Sequence, residues 1–159
     1  MSHAVSICDE KEITRRINEF KLYCREYSLR LTAQRLEIFR AVASSCSHPC
    51  AETVYKAVRK KLPNISLDTV YRTLSYMEES GVICRVGLGN KGRFDANPAA
   101  HYHFVCLNCG EVYDVFPQEE EKLSLPGNIA QFGEVKNVNL QFRGICNRCR
   151  QTAGDVKII

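Results

Sequence analysis

The chain has 159 residues, 45% of them hydrophobic and 25% charged, with a net charge of +4; this allows one ordinary domain or two small ones and excludes a low-complexity or fibrous protein. No apolar run approaches bilayer length, and the N-terminus lacks the basic flank and apolar stretch of a signal peptide, so a cytoplasmic protein with no membrane partner is expected. The charge is uneven: residues 1–95 carry 16 Lys and Arg against 11 Asp and Glu, and residues 96–159 carry 6 against 7, which suggests nucleic acid as a partner for the first half only.

Residues 9–27 predict an amphipathic helix, with Ile13, Ile17, Phe20 and Cys24 on one face. After a break at Tyr27-Ser28-Leu29-Arg30, Thr32 can cap a second helix carrying Leu36, Ile38, Phe39 and Val42. A third helix is predicted to start at His48-Pro49-Cys50-Ala51-Glu52, with Pro49 in its first turn. Its inner face is Val54, Tyr55, Val58 and Leu62, and its outer face Lys56, Arg59, Lys60 and Lys61. Ser66 caps a fourth helix, and Thr69 stands where a full capping box would have Glu or Gln. Leu67, Val70, Leu74 and Met77 step along its buried face and leave Asp68, Thr69, Tyr71 and Arg72 on the open one. Gly81 stops it.

Val82–Val86 and Arg93–Asp95 then flank a glycine-rich loop and predict a hairpin. Helices, a turn and a hairpin in this order make a winged helix-turn-helix. Ser66–Ser80 is its recognition helix: Tyr71 can contact base edges, thymine methyls or phosphate, Arg72 guanine or phosphate. Thr69 and Arg30 complete the predicted DNA-binding set, with Lys91 and Arg93 of the wing available to the backbone.

Past the linker Ala96–Ala100, His101 and His103 alternate with Tyr102 and Phe104 as in a strand, so both imidazoles project from one face. Glu111–Val115 is a second strand, returning through the Cys106–Gly110 turn. A helix begins at Gln118–Lys122 and is broken by Pro126-Gly127. Val138, Leu140 and Phe142 alternate as a third strand, and the tail from Gln151 carries little signal. The chain holds nine cysteines. Four form two C-x-x-C pairs, Cys106/Cys109 and Cys146/Cys149, each at a strand end. An odd count without an export signal favours metal over disulfides, and four thiolates make a closed tetrahedral zinc shell. For Cys8, Cys24, Cys46, Cys50 and Cys84 reduced thiols are expected.

With these residues in place, the sequence resembles the Fur family of metal-responsive repressors over roughly residues 15–150. The resemblance rests on Leu29–Arg35, His48–Tyr55, Ser66–Leu74, Arg93-Phe94-Asp95, His101-Tyr102-His103 and both C-x-x-C pairs. It implies an α+β chain: an N-terminal winged helix-turn-helix domain, here 1–95, followed by a C-terminal α/β dimerisation and metal-binding domain, 96–159. It implies a homodimer on a double-stranded DNA operator, with one structural zinc per chain on Cys106, Cys109, Cys146 and Cys149. It further implies one regulatory Fe(II) or Mn(II) per chain, carried over by position to His48, Asp95, His101, His103 and Asp114. Three imidazoles and two carboxylates suit those ions better than a tetrahedral zinc site would.

Aspartate at position 114 resembles the peroxide-sensing PerR branch, where bound Fe(II) reacts with peroxide and a histidine ligand is oxidised; His48 and His101 are the targets by position. An iron- or zinc-uptake regulator without peroxide sensing is the alternative within the family. Ala33 departs from the family's usual proline, Cys50 from its small hydroxyl residue, and Ala100 and Tyr102 from the ligands of a third metal site, so no such site is expected. An enzyme is not expected either, and no small-molecule substrate. A zinc nucleobase deaminase needs H-x-E ahead of P-C-x-x-C, whereas the first C-x-x-C here follows Val105 and no Glu lies two after a histidine.

Overall fold

A computed structural model describes residues 9–87, 92–118, 124–135 and 138–152. The chain divides into two compact units, Met1–Ala99 and Ala100–Ile159.

Unit one carries α1 (Glu10–Glu26), α2 (Ala33–Ala43), α3 (Ala51–Arg59), α4 (Leu67–Glu79) and the strands β1 (Cys84–Val86) and β2 (Arg93–Asp95). Three of the four helices start on a side-chain cap, which satisfies a backbone N–H that the helix leaves free. Asp9 accepts from Glu12 N–H at 2.7 Å, Thr32 from Arg35 N–H at 3.2 Å and Ser66 from Thr69 N–H at 3.1 Å. The apolar faces meet in one core built on Phe20, Ile38, Phe39, Val54, Val58, Val70, Leu74 and Met77. Phe20 stacks on Phe39 with ring centroids 4.2 Å apart, tying α1 to α2. Gly81, at φ +74°, ends α4 in the left-handed conformation that glycine adopts without Cβ strain. β1 and β2 pair antiparallel, with Cys84 opposite Asp95 and Val86 opposite Arg93.

The third helix starts later than the sequence predicts. Its cap is Cys50, without a side-chain cap bond, and Pro49 lies outside its first turn. The reason is tertiary. Pro49 O accepts from Phe94 N–H at 3.0 Å, and Cys50 forms an antiparallel bridge with Arg93, so segment 48–50 is an extra extended partner of β2. His48 turns the chain into that segment at φ +49°.

Unit two is organised on β3 (Tyr102–Cys106), the middle of a three-stranded sheet. β4 (Val112–Val115) pairs with it antiparallel, and β5 (Gln141–Gly144) pairs with it parallel. The short helix α5 (Asn147–Thr152) follows. The third strand thus falls at 141–144, not across 138–142: Val138 is exposed, and Leu140 contributes only its carbonyl, which accepts from His103 N–H at 3.1 Å. Gln118 is not helical, and residues 119–123, where the helix was expected, lie outside the described residues. Directly after Pro126-Gly127 the chain makes a 3-10 turn, Ile129–Gln131. Gln151 and Thr152 belong to α5, and the remaining tail lies outside the described residues. Among the described residues, no helix is long and apolar enough to cross a membrane.

Candidate metal centres and nucleic-acid face

The sheet of unit two delivers four thiols to one point. Cys106 closes β3, and Cys109 sits in the turn that Gly110 completes at φ +71°, with Gly110 N–H bonded to Cys106 O at 2.9 Å. The parallel register sets Cys106 opposite Gly144, so Cys146 arrives two residues later, and Cys149 follows from α5. The four sulfurs lie within 4.8 Å of one another, with Cys109 and Cys146 3.9 Å apart. A tetrahedron with Zn–S bonds of about 2.3 Å has sulfurs about 3.8 Å apart, so the donor set fits.

The surroundings favour thiolate at Cys106 and Cys146 but not at Cys149. Burial pushes the Cys106 thiol up, but backbone N–H groups of Cys109, Cys146 and Asn108 outweigh it and hold the group at about 6. Cys146 N–H itself donates to Cys106 Sγ at 3.3 Å. At Cys149 the Asn108 side chain favours the thiolate, but the Cys146 sulfur, burial and the Cys109 and Cys106 sulfurs oppose it and raise the group to about 11. Four sulfurs so close resist common ionisation until a cation neutralises them. Arg148 stands at the edge, 3.7 Å from Cys109 Sγ and 3.9 Å from Glu111.

The other cysteines serve elsewhere. Cys24, Cys50 and Cys84 are reduced, as expected. Cys46 is disulfide-bonded, against the reduced thiol expected of it, and lies exposed in the turn between α2 and α3. Cys8 lies outside the described residues.

On the same sheet, His101, His103 and Asp114 converge. β3–β4 register puts His103 opposite Asp114, and His101 lies two residues back on the same face. The two Nε2 atoms are 3.0 Å apart, and Asp114 Oδ1 lies 3.6 Å from one and 3.7 Å from the other. All three side chains are nearly inaccessible, at 3%, 3% and 6% exposure. Phe116 stacks on the His101 ring at 5.3 Å and closes that side. Two imidazoles and a carboxylate with ligand atoms this close form a donor set for a divalent first-row metal.

Unit one contributes its own buried pair. His48 and Asp95 are 4% and 8% exposed, with ligand atoms within 4.8 Å. Asp95 is fixed from two sides: Oδ1 accepts from Asn97 N–H at 2.9 Å, and Oδ2 lies 4.0 Å from Cys84 Sγ. Cys84, Asn97 and Phe116 were not singled out from sequence. Cys84 was within reach of it, because the hairpin register places it opposite Asp95.

The outer face of α4 carries the predicted DNA contacts. Arg72 is 82% exposed and only loosely paired, 3.9 Å from Asp68. Tyr71 is exposed, and its hydroxyl donates to Glu52 Oε1 at 2.6 Å. That bond holds the Glu52 carboxyl below its usual range and raises the Tyr71 phenol. Thr69 is half-buried, its hydroxyl 2.8 Å from the Ser66 cap. Arg30 is exposed, and its carbonyl accepts from Arg35 at 2.7 Å. Arg93 differs from the expectation of a free wing cation: its Nη1 donates to the carbonyls of Ser47 and His48 at 3.1 and 3.3 Å. It stitches the wing to segment 48–50 instead of reaching outward. Lys91 lies outside the described residues.

Comparison with known proteins fits this arrangement. The chain is 35% identical over 129 residues to a peroxide-responsive repressor, PerR, of Staphylococcus epidermidis, covering 80% of this chain and 85% of that protein. It is 35% identical over 127 residues to the peroxide operon regulator of Bacillus subtilis, covering 79% and 87%. The solved structure of the Helicobacter pylori ferric uptake regulator superposes with a TM-score of 0.64 at 20% identity, covering 87% of this chain and 93% of that one, and so shares its fold. The model of the ferric uptake regulator family matches residues 26–143, and the chain belongs to that family.

Proposed function

We propose that the chain is a metal-dependent, peroxide-sensing transcriptional repressor that binds double-stranded operator DNA in the cytoplasm as a homodimer. Unit one is the DNA-binding domain, corresponding to the predicted 1–95, and unit two the dimerisation and metal-binding domain, corresponding to 96–159. Cys106, Cys109, Cys146 and Cys149 hold one structural zinc. His48, Asp95, His101, His103 and Asp114 ligate one regulatory Fe(II) or Mn(II). The observation that carries this reading is the buried convergence of His101, His103 and Asp114 on the same sheet that gathers the four thiols. Duties are thereby divided between a sulfur set that closes the fold and a nitrogen–oxygen set left for regulation.

Each part of the chain has a task in this reading. His48 and Asp95 anchor the regulatory ligand set in the unit that carries α4, and His101, His103 and Asp114 anchor it in the unit that dimerises. A ligand set shared between two bodies favours the arrangement in which all five donors meet, and the gain in population equals the difference in metal affinity between arrangements. Fe(II), when held by these five residues, would supply the electrons for reaction with peroxide. His48 and His101 are the proposed sites of oxidation, and loss of either imidazole donor weakens that grip. The exposed Phe132, Phe142, Val138 and Tyr113 of unit two support a second copy as the dimer partner. The similarity to a peroxide-responsive repressor and a peroxide operon regulator supports the sensing role.

The test is metal analysis followed by peroxide challenge. Protein purified without oxygen is expected to hold one chelation-resistant zinc per chain and an exchangeable iron or manganese. Stoichiometric peroxide on the Fe(II) form should add oxygen to a peptide holding His48 or His101 and abolish DNA binding. Unmodified peptides with DNA binding intact would end the peroxide assignment; two zincs, with the second controlling DNA binding, would point to a zinc-uptake regulator.

A further inference from the structure

Tyr71 reaches the DNA-facing surface of α4 with its hydroxyl already committed. The hydroxyl donates to Glu52 Oε1 at 2.6 Å. A phenol has one proton to donate and otherwise only lone pairs. Phosphate oxygens only accept. As held here, the Tyr71 hydroxyl therefore has nothing to offer a phosphate. What remains is its acceptor side and the ring. In the major groove the acceptor side matches the amino group of adenine or cytosine, and the ring matches a thymine methyl.

Glu52 is itself held in place. It sits in the first turn of α3, a helix whose cap residue Cys50 supplies no side-chain cap bond. The Tyr71 hydroxyl, its own backbone N–H and the Cys50 side chain all favour its charged form. A negative group at a helix N-terminus is favoured by the free N–H groups there. The carboxylate thus stands charged at the start of α3 and presents one oxygen to Tyr71.

We propose that Glu52 is a positioning residue for sequence reading: by taking the Tyr71 hydroxyl proton, it bars Tyr71 from phosphate and turns it toward base edges. This rests on the DNA reading of α4 given above. It divides the work on that helix. Arg72, 82% exposed and loosely paired, is left to supply attraction to the backbone or guanine, and Tyr71 discriminates between base pairs.

The experiment uses the full chain loaded with Mn(II). Duplexes are selected from a randomised library on wild type, Tyr71→Phe, Glu52→Ala and Glu52→Gln. Affinities are then measured for the duplex selected by wild type and for a scrambled duplex of equal length, and thermal melts verify that each variant is folded. Tyr71→Phe should lose roughly fivefold or more on the selected duplex, the lower end of what one base contact discriminates, with affinity for the scrambled duplex unchanged. Glu52→Ala frees the hydroxyl to donate, so its base preference should broaden at the same position while scrambled-duplex affinity holds or rises. Glu52→Gln keeps an oxygen that accepts the hydroxyl, so it should restore the wild-type profile. Equal loss on both duplexes in Tyr71→Phe would make Tyr71 a phosphate anchor and overturn the proposal. An unchanged profile in Glu52→Ala, or a Glu52→Gln profile as broad as that of Glu52→Ala, would overturn the role of Glu52 while leaving the DNA reading intact. A wild-type protein that selects no duplex would overturn both.

Discussion

Replacing Cys106 with serine should unfold unit two while leaving unit one folded. Among the described residues of that unit, the buried ones are His103, Val105, Cys106, Val112, Cys146 and Cys149, so half of its interior is the thiol cluster itself. Serine removes one of four donors, and its hydroxyl does not ionise near neutral pH. The three thiolates left would face one another without a closed shell. Structural zinc sites in small domains supply about 10–16 kcal/mol of folding free energy, against about 5–15 kcal/mol of net stability for a whole domain. Losing most of the first term exceeds the second, and a sheet with so few buried apolar side chains has little to offset it. The assay is zinc content per chain alongside far-UV circular dichroism and calorimetry. Zinc should fall from one per chain toward none, and the transition of unit two should vanish. Cys24→Ser is the control: Cys24 is equally reduced and buried, but in the core of unit one, so zinc should be retained. A zinc-free Cys106→Ser protein with a wild-type transition for unit two would refute the reasoning.

Three further outcomes test unit one. Leu74→Ala should destabilise unit one by about 2–5 kcal/mol, because Leu74 is fully buried beneath α4 and its loss leaves a cavity; denaturant midpoints check this. Ser66→Ala should cost about 1 kcal/mol, since Ser66 both accepts from Thr69 N–H and meets the Thr69 hydroxyl, and operator affinity should fall with it as the start of α4 frays. The third concerns acid. Hydrogen bonds from Arg15 and Arg16 hold Glu12 at about 2, below the carboxylate value of 4.5, so its stabilisation is complete above about 4.5 and is lost as pH falls toward 2. Glu12→Gln should therefore melt earlier at pH 7, by no more than about 1 kcal/mol after solvent screening, and the difference from wild type should close in acid. A gap that persists at pH 2 would assign the effect to packing.

The helices α1, α2 and α4 were legible because their apolar spacing is local, whereas α5 was not foreseen. Thr32 and Ser66 are caps in sequence and caps in the structure; the Asp9 cap appears only in the structure. The four thiols were legible by spacing alone. What failed did so where a distant segment intervened. The start of α3 moved to Ala51 because β2 claims the Pro49 carbonyl, a bond between residues 45 apart in the chain that no local signal announces. The third strand moved to 141–144 because alternation marks which side chains share a face, not where a partner strand begins. Arg93 looked like a free wing cation until its carbonyl partners on Ser47 and His48 were visible. The Glu52–Tyr71 bond was hidden for the same reason: it spans 19 residues and depends on how α3 meets α4.

The pairing of β3 with β5 carries one last consequence. Cys106 lies opposite Gly144, and the alignment of those two strands alone decides whether Cys146 reaches the other sulfurs. A slip of one residue would move the start of the segment that carries Cys146 by about 3.3 Å. The metal would then lack a fourth donor, and the misaligned chain would gain none of its binding energy. Parallel strands joined by a long connection are slow to find their alignment. A metal on the four thiols would therefore favour this one alignment of β3 and β5 over its neighbours.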